Sequence, residues 1–301
     1  MINLLITVFG VGMVLRKYSR DPEVGWAWLM GLMLILPSEV RFNLPGALPE
    51  LTIHRILLAV GLWLVLRSRA DEGTSDAVPL MKAFGFLAFT QFCSVLGATE
   101  KVGSLKDWLG FMTEQLLFAW MVWRCIKTRR GIRLLLYGVA AAMVVVGLIA
   151  AVERYGGVNL AARFIPGMKD DGRSVTATFR HRILFGYFMA FGLPMMLALV
   201  SIQQTKWSRR CAWIGLFLSM AGSYLSISRG PWLGAAIGAM FMAWVGGKKI
   251  RRSLTVLGIV AVVIMLSRPG VYDTLERLYE STKTTDTQKG RSFHYRLELW
   301  G

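Results

Sequence analysis

Ten apolar runs follow one another along the chain, and they constrain its fold more than any other feature of the sequence. Most of them approach the ~20 residues that an α-helix needs to cross a bilayer. Charged residues make up only 18% of the 301 residues, whereas about 25% is usual in soluble domains. The pattern predicts an all-α fold, a polytopic membrane bundle of about ten transmembrane helices. The predicted spans are residues 1–15, 24–40, 51–66, 79–98, 108–126, 133–151, 183–201, 211–227, 231–247 and 252–267.

The basic residues are distributed unevenly between the connecting loops, and this predicts how the bundle is oriented. The loops after the first, third, fifth, seventh and ninth runs, together with the adjoining ends of these and the following runs, hold eighteen basic and five acidic residues, against seventeen and thirteen in the rest of the chain. Loops rich in Lys and Arg stay on the cytoplasmic side, so the loop 152–182 and the turn near residue 229 are predicted to face outward. Topology and contact with anionic lipids account for this charge. Nucleic-acid binding is not predicted, because the basic residues cluster at helix ends rather than along a groove.

The turn between the eighth and ninth runs carries the first candidate site, in the stretch Ser228-Arg229-Gly230-Pro231. So few residues separate the two runs that they predict a helical hairpin, in which Gly230 frees the backbone for the turn and Pro231 lies in the first turn of the second helix. A helix N-terminus favours an anion, and Arg229 adds a permanent charge with several donors. This stretch is therefore a candidate site for a phosphate or diphosphate. The alternative is that Arg229 only anchors a helix end at the membrane surface.

The outward loop 152–182 is the second candidate site, because it is rich in basic residues that topology alone would not place there. Arg173 lies within it, and the triplet Arg180-His181-Arg182 stands where the seventh run begins. We expect these residues to bind an anionic ligand close to the hairpin. Two alternatives stay open: the arginines contact acidic lipid head groups, and His181 is a satisfied histidine at the membrane interface.

Few polar residues lie inside the predicted spans, and Glu114 in the fifth span is the main exception. A carboxylate at this depth needs a partner or a wet cavity, so Glu114 either pairs with an arginine, acts as a base or packs in its protonated form. Pro194 predicts a kink in the seventh helix, and Gly234 and Gly238 form a GxxxG pattern that favours close helix contact. The sequence has no CxxC, HExxH, GxSxG or P-loop motif, so neither a metal nor another cofactor is expected.

Two segments of the sequence resemble one known family. A helix that ends in Ser-Arg-Gly at residues 228–230, followed by Trp232 and a leucine, resembles the hairpin of the O-antigen ligase and O-antigen polymerase family. The segment 176–187 resembles that family's approach to the preceding pair of helices. This chain has Arg180 and Arg182 where the family phrase often has Gly and Pro, so its loop need not turn in the same way.

The resemblance implies a glycosyltransferase of the GT-C-like ligase or polymerase type, in the bacterial inner membrane with its active face on the periplasmic side. The implied donor is a glycan on undecaprenyl diphosphate, and the implied acceptor is a hydroxyl on another glycan or on lipid A-core. Arg229 would be the catalytic residue, because a fixed arginine stabilises the charge that grows on a departing diphosphate. The residues expected to bind substrate are Arg173, Arg180, His181, Arg182, Ser228 and Gly230.

The resemblance also bears on what the reaction requires and on its general base. It implies that no metal, nucleotide or ATP is needed, because the donor is made and activated before this step. The family's usual base is a histidine of the large outer loop that follows the next span. His294 is not given that role, because it precedes the place where that histidine usually lies.

The final segment, residues 268–301, is expected to begin a large periplasmic loop. Residues 271–281 have the spacing of an amphipathic helix, and residues 291–300 have the composition of the start of another. Members of the family continue and return through further spans, so we expect this chain to be truncated within the loop. Residues 1–267 would then be the transmembrane bundle, with the outward loop 152–182.

Two other functions stay open from the sequence: a transporter of an anion or a lipid-linked solute, and a structural membrane subunit. A transporter predicts more polar residues inside the spans, or helices that break at mid-depth. Here the polarity inside the spans is nearly confined to Glu114 and the outward loop is charged, which favours chemistry at the membrane surface. The expected partners are a lipid-linked glycan donor, its acceptor and membrane lipids.

Overall fold

The computed structural model describes residues 2–37, 40–42, 51–67, 78–164, 175–202 and 206–267, together with residues 276, 280, 295 and 298. The described chain is almost entirely helical. Its helices are α1 (Ile2–Arg20), α2 (Pro22–Ile35), α3 (Ile53–Arg67), α4 (Val78–Leu96), α5 (Lys101–Phe111), α6 (Leu117–Cys125), α7 (Arg129–Gly156), α8 (Arg182–Ile202), α9 (Lys206–Leu225), α10 (Arg229–Val245) and α11 (Lys248–Ser267). A π-helical segment (Met112–Leu116) joins α5 to α6, and the remaining elements are a 3₁₀ turn (Ala162–Phe164) and two short antiparallel strands, β1 (Arg41–Phe42) and β2 (Leu51–Thr52).

The helices correspond one to one with the predicted spans, because α5, the π-helical segment and α6 form one continuous rod. The prediction of an all-α chain is therefore confirmed for the described residues. By length and composition, α7 and α8 are apolar enough to cross a membrane, and α2, most of α4 and α10 are apolar but shorter. That all ten rods cross a membrane stays a prediction.

Local side-chain chemistry decides where several helices begin and end. Asp21 precedes α2, and its carboxylate accepts hydrogen bonds from the backbone N–H groups of Glu23 (3.1 Å) and Val24 (3.4 Å). Thr128 precedes α7 in the same way, with its hydroxyl oxygen 2.9 Å from the backbone nitrogen of Gly131. Such caps satisfy the donors that a helix leaves unpaired at its start. Gly157, at φ +67°, ends α7 with the left-handed residue typical of a helix C-terminus.

Two groups of helices pack through their apolar faces. In the first group, Trp26 of α2, Ile53 of α3 and Met121 of α6 are buried in a common core with residues of α1. In the second, α8 packs along α9 through Met189 and Met196, which are both fully buried. Methionine adapts to irregular gaps, which suits helices that approach closely at glycines. The helix α8 is continuous through Pro194.

One cluster of charged residues ties together two turns at the same end of the first unit. The Arg130 guanidinium donates to the carboxylate of Asp21 and lies 3.3 Å from an oxygen of Glu23, which also accepts from the hydroxyl of Thr128. The hydrogen bond from Arg130 holds the pKa of the Asp21 carboxyl below its ordinary value. The α1–α2 turn and the α6–α7 turn therefore meet, as expected for two loops predicted to lie on the same side of the membrane.

The chain divides into two compact units, residues 1–242 and residues 243–301. In the second unit, the guanidinium Nε of Arg251 on α11 donates to the backbone oxygen of Ala243, at 3.0 Å. This bond satisfies one of the carbonyls left unpaired near the end of α10. The amphipathic helix predicted at 271–281 and the helix start predicted at 291–300 fall outside the described residues except at single positions, so the expected domain division at residue 267 stays a prediction.

Candidate functional site

The short turn of the hairpin predicted near residue 229 is present between α9 and α10. Because α9 ends at Leu225 and α10 begins at Arg229, only residues 226–228 lie between them. Ile227 takes the left-handed conformation, at φ +48°, and its N–H donates to the carbonyl of Tyr224 at 3.1 Å. A β-branched residue is strained there. The expected role of Gly230 in the turn is not seen, since it is already the second residue of α10.

The turn is held by hydrogen bonds that converge on one backbone carbonyl. The oxygen of Ser223 accepts from the hydroxyl of Ser226 at 2.7 Å and from the indole N–H of Trp232 at 2.9 Å. The ring of Trp232 also stacks on Tyr224, with centroids 5.8 Å apart. These contacts join the last turn of α9 to the first turn of α10, so the start of α10 is fixed in place relative to α9.

The reason for a glycine at position 230 is the close approach of Tyr187 from α8. A Cβ atom added at Gly230 would lie 2.6 Å from the hydroxyl oxygen of Tyr187, closer than real Cβ contacts allow. One turn further along α10, a Cβ at Gly234 would lie 3.6 Å from the same ring, an ordinary contact. A second close approach occurs at Gly186, where a Cβ would be 2.5 Å from the hydroxyl of Ser226. The start of α8 therefore packs directly against the hairpin.

The outward loop is organised by the carboxylate of Glu153, near the end of α7. One oxygen accepts from the backbone N–H and the hydroxyl of Thr176, at 3.0 and 3.1 Å, and the other accepts from the backbone N–H of Ala177 at 2.7 Å. Asn159 adds bonds from its amide nitrogen to the Thr176 hydroxyl (3.0 Å) and the Ala177 carbonyl (3.3 Å). Ala177 is held in the left-handed region at φ +50°. The Glu153 carboxylate and the Asn159 amide thus provide hydrogen-bond partners for the polar groups of Thr176 and Ala177.

The same segment of the outward loop, residues 175–178, is docked onto the hairpin. The backbone N–H of Val175 donates to the carbonyl of Leu225, the last residue of α9, at 3.4 Å. All four residues of the segment are buried, and Ala177 has no exposed surface. The chain from here to the start of α8 is short. The basic triplet 180–182 therefore lies, along the chain, between two residues that contact the hairpin, Val175 and Gly186.

The three residues of the triplet differ in what the structure shows of them. His181 precedes α8, where its carbonyl accepts from Phe185 N–H (3.2 Å) and its ring nitrogen Nδ1 lies 3.2 Å from the backbone nitrogen of Ile183. This arrangement caps the helix start, because a ring nitrogen that accepts satisfies an unpaired N–H. Arg180 is exposed, and Arg182, the first residue of α8, is partly buried.

The remaining predicted site residues are placed as follows. Ser228 is partly buried and immediately precedes α10, at the position where serine often caps a helix. The backbone of Arg229 forms the first residue of α10, but its side chain lies outside the described part of the structure. Arg173 also lies outside the described residues. The described geometry therefore brings Gly186 and Tyr187, one turn after the triplet 180–182, against Ser226 and the start of α10.

Glu114 has an arginine partner, which is one of the three possibilities open from the sequence. The Nε atom of Arg55, near the start of α3, lies 3.2 Å from a carboxylate oxygen of Glu114 in the π-helical segment. Both side chains are about two-fifths exposed. A π-helical turn is uncommon and frequently marks a functional position. The pair accounts for the Glu114 carboxylate without requiring that it act as a base.

Sequence reasoning missed Glu153, Asn159 and Tyr187. In the sequence, Glu153 is one acidic residue in a loop rich in basic ones, and Tyr187 is one aromatic residue in an apolar run. No motif or spacing distinguishes them, because their contacts join residues far apart in the chain. Within the described ranges, no group of three His, Cys, Asp or Glu residues is arranged to hold a metal ion.

A family model described as O-antigen ligase matches residues 214–301. The match begins within α9, includes Ser228-Arg229-Gly230 and continues through the final segment of the chain. It does not include the outward loop. No curated protein and no solved structure matches the chain.

Proposed function

We propose that this chain, assigned to the O-antigen ligase and polymerase family by the match at residues 214–301, transfers glycan from a lipid-diphosphate donor to an acceptor hydroxyl. At the level of the family, the match supports glycan transfer of the O-antigen ligase or polymerase type. The finer proposal rests on one observation, the docking of Val175 onto Leu225 at the end of the hairpin. That contact, together with the packing of Gly186 and Tyr187 against the hairpin, supports a site shared by the basic triplet and the N-terminus of α10.

The chemistry that this arrangement supports is displacement at the first sugar carbon of the donor. The acceptor hydroxyl attacks C1, the bond from C1 to the diphosphate oxygen breaks, and the diphosphate leaves with the bonding electrons. The growing negative charge is stabilised by the guanidinium of Arg229 and by backbone N–H groups in the first turn of α10. The hydroxyl proton passes to a general base, a role that we give to none of the described residues.

The proposed substrates and location follow from the family. The donor glycan is carried on undecaprenyl diphosphate, and the acceptor is another glycan or lipid A-core. The reaction takes place on the periplasmic face of the bacterial inner membrane and needs no metal. Arg229 is the proposed catalytic residue. The residues proposed to bind the donor are Arg173, Arg180, His181, Arg182, Ser228 and Gly230.

Transport of an anion or lipid-linked solute is the second candidate, and the Arg55–Glu114 pair is the observation in its favour. Charged residues inside membrane spans frequently mark the route of a transported ion or substrate. In the Arg55–Glu114 pair, however, each charge already has a partner within the protein. Arg180, by contrast, has no ion-pair partner in the described part of the chain. The unpaired charge near the hairpin favours binding of an anionic substrate there.

The test is substitution of Arg229 in the full chain, reconstituted in nanodiscs at matched protein levels. Undecaprenyl diphosphate, the leaving group common to the proposed donors, serves as the binding probe, and transfer is measured from an extracted lipid-linked oligosaccharide. Lysine supplies one point charge in place of a planar set of donors, so we expect Arg229→Lys to bind and transfer poorly. Arg229→Ala is expected to lose about 10²-fold or more of the rate, the scale for one preorganised donor.

Arg210→Lys and Arg210→Ala are the matched controls, because Arg210 is an exposed arginine near the opposite end of the same hairpin. Both are expected to retain parental binding and transfer. Parental activity of Arg229→Lys would show that Arg229 only anchors a helix end. Failure of the parental chain to bind undecaprenyl diphosphate would reject the proposed donor class.

A further inference from the structure

We propose that Glu153 is a positioning residue, which holds the outward loop against the hairpin and so sets the place of the basic triplet 180–182. The inference rests on the proposed function, since it concerns the same diphosphate site. Glu153 lies near the end of α7, at a long sequence distance from the hairpin, and it does not belong to the residues expected to bind substrate. Its role comes from the geometry of its carboxylate.

The two carboxylate oxygens of Glu153 can accept all the hydrogen bonds that nearby residues donate to them. Three donors converge on its two oxygens: the N–H and hydroxyl of Thr176 and the N–H of Ala177. An ionised carboxylate is acceptor-only and makes stronger hydrogen bonds than a neutral group. A glutamine in its place would turn an NH₂ group towards one of these backbone N–H groups. Two donors would then face each other, and one buried N–H would be left unsatisfied.

Burial makes the bonds to Glu153 a requirement for this loop conformation. Val175 is 1% exposed, Thr176 5% and Ala177 0%. Backbone N–H groups that are withdrawn from water to this extent need partners within the protein. Ala177 is also held in the left-handed region, which an alanine rarely adopts without support from its surroundings. Without the carboxylate, the segment would be expected to leave this conformation to regain hydrogen bonds to water.

The segment bound by Glu153 is the same one that contacts the hairpin. Val175, next to Thr176, donates to the carbonyl of Leu225. On the other side, Phe179 packs against Phe185 and Phe188 of α8, with ring centroids 6.3 and 5.2 Å away. The triplet follows Phe179 directly. Displacement of the segment would therefore move Arg180 and the loop before it away from the start of α10, while α8, which begins at Arg182, stays packed.

The first experiment measures the affinity of the full chain for undecaprenyl diphosphate in nanodiscs. We expect Glu153→Gln to weaken binding by about tenfold or more, the effect of leaving one buried donor unpaired. Glu100→Gln is the matched control, because Glu100 is an exposed acidic residue that makes no side-chain cap bond at the start of α5. The Glu100→Gln variant removes the same charge and is expected to leave the affinity for undecaprenyl diphosphate unchanged. Parental affinity of Glu153→Gln would overturn the proposal.

A second experiment separates positioning from direct binding and from general loss of folding. Cysteines replace Val175 and Leu225, whose backbone N and O atoms are 3.4 Å apart, a separation compatible with the Cα distance that a disulfide requires. The three native cysteines are replaced by serine. In the oxidised protein, the disulfide holds the loop on the hairpin without Glu153. The Glu153→Gln variant should then regain affinity to within about threefold of its oxidised parent, and a reducing agent should abolish this recovery.

The outcomes distinguish this proposal from the proposed function. If the oxidised Glu153→Gln protein stays as weak as the reduced one, Glu153 does not act by holding the loop and the positioning role is refuted. If the parental chain itself does not bind undecaprenyl diphosphate, the proposed function fails. In that case a cysteine in place of Thr178, which is 6% exposed in the structure, measures directly whether the loop becomes accessible to solvent. Its reaction with a thiol reagent should be faster in Glu153→Gln than in Glu100→Gln, and equal rates would refute the proposal.

Discussion

The contact between Tyr187 and Gly230 predicts that an alanine at position 230 is tolerated only when the Tyr187 hydroxyl is removed. In Gly230→Ala, the new Cβ would lie 2.6 Å from the Tyr187 hydroxyl oxygen, 3.3 Å from Cζ and 3.8 Å from Cε2. The hydroxyl lies at the end of a rigid ring, so relief requires the ring or the helix to move. Replacing Tyr187 by phenylalanine removes the oxygen and leaves Cζ, at 3.3 Å, as the nearest atom of the ring. The clash should therefore disappear almost entirely in the double variant.

The size of the effect follows from two opposing contributions. Overpacking a well-packed contact costs about 1–3 kcal/mol, whereas alanine is better than glycine in a helix by about 0.8–1 kcal/mol. Gly230→Ala alone is thus expected to be destabilising by about 0–2 kcal/mol, which lowers Tm by up to roughly 8 °C at about 2–4 °C per kcal/mol. In the Tyr187→Phe background the same substitution should be neutral or stabilising. The coupling between the two positions should then be about 1–3 kcal/mol.

The assay is thermal unfolding of the purified chain in one detergent, for the parent, both single variants and the double variant. Gly234→Ala is the matched control. It lies one turn along the same helix, and its new Cβ would make only an ordinary contact with Tyr187, at 3.6 Å. This control should have the parental Tm or a higher one, because it gains helix propensity without a clash.

Two results would refute the reasoning about this contact. Equal Tm values for Gly230→Ala and Gly234→Ala would show that the hydroxyl of Tyr187 does not restrict position 230. A Gly230→Ala defect of unchanged size in the Tyr187→Phe background would show that the strain comes from another source. In either case glycine at 230 would need a different explanation, such as a contact of the diphosphate with its backbone.

The predicted orientation can be tested with single cysteines near the two ends of α7, in a chain without its native cysteines. In intact cells, a cysteine in place of Arg129 is expected to be protected from an impermeant thiol reagent, and a cysteine in place of Tyr155 is expected to be labelled. The reverse pattern would contradict the orientation. The Asp21–Arg130 pair predicts a pH dependence, because a lowered pKa gives stability that is present above the ordinary Asp value of about 3.9 and is lost as pH falls through the lower folded value. The Tm difference between the parent and Arg130→Gln should be constant above about pH 4 and shrink below it, and a difference independent of pH would exclude this linkage.

The helices and their approximate limits could be predicted from the sequence, because the information for them is local. Run length and apolar composition are properties of consecutive residues, and each predicted span has its helix. The observed helix limits differ from the predicted ones where capping residues determine the helix ends. The sixth span was predicted at 133–151, but α7 extends from Arg129 to Gly156, between the cap at Thr128 and the left-handed Gly157.

The candidate site could be predicted only in part. The stretch 228–231 was recognisable because a short turn, a proline and an arginine lie together in the chain. The triplet 180–182 was recognisable as basic residues in a loop predicted to face outward. The reason for Gly230 was not predictable, since it depends on Tyr187 from another helix and not on the backbone of the turn. The turn itself is made by Ile227, a residue that propensity disfavours for that conformation.

The contacts between residues far apart in the chain, at the site and elsewhere, were decided by the tertiary structure alone. Glu153 is 23 residues from Thr176, and Arg55 is 59 residues from Glu114. The sequence shows that these groups need partners, because charges and backbone N–H groups are expensive to bury alone. It does not show which partner each group finds. That choice depends on how the helices pack and which ends meet, and packing is a property of the whole chain rather than of any one segment.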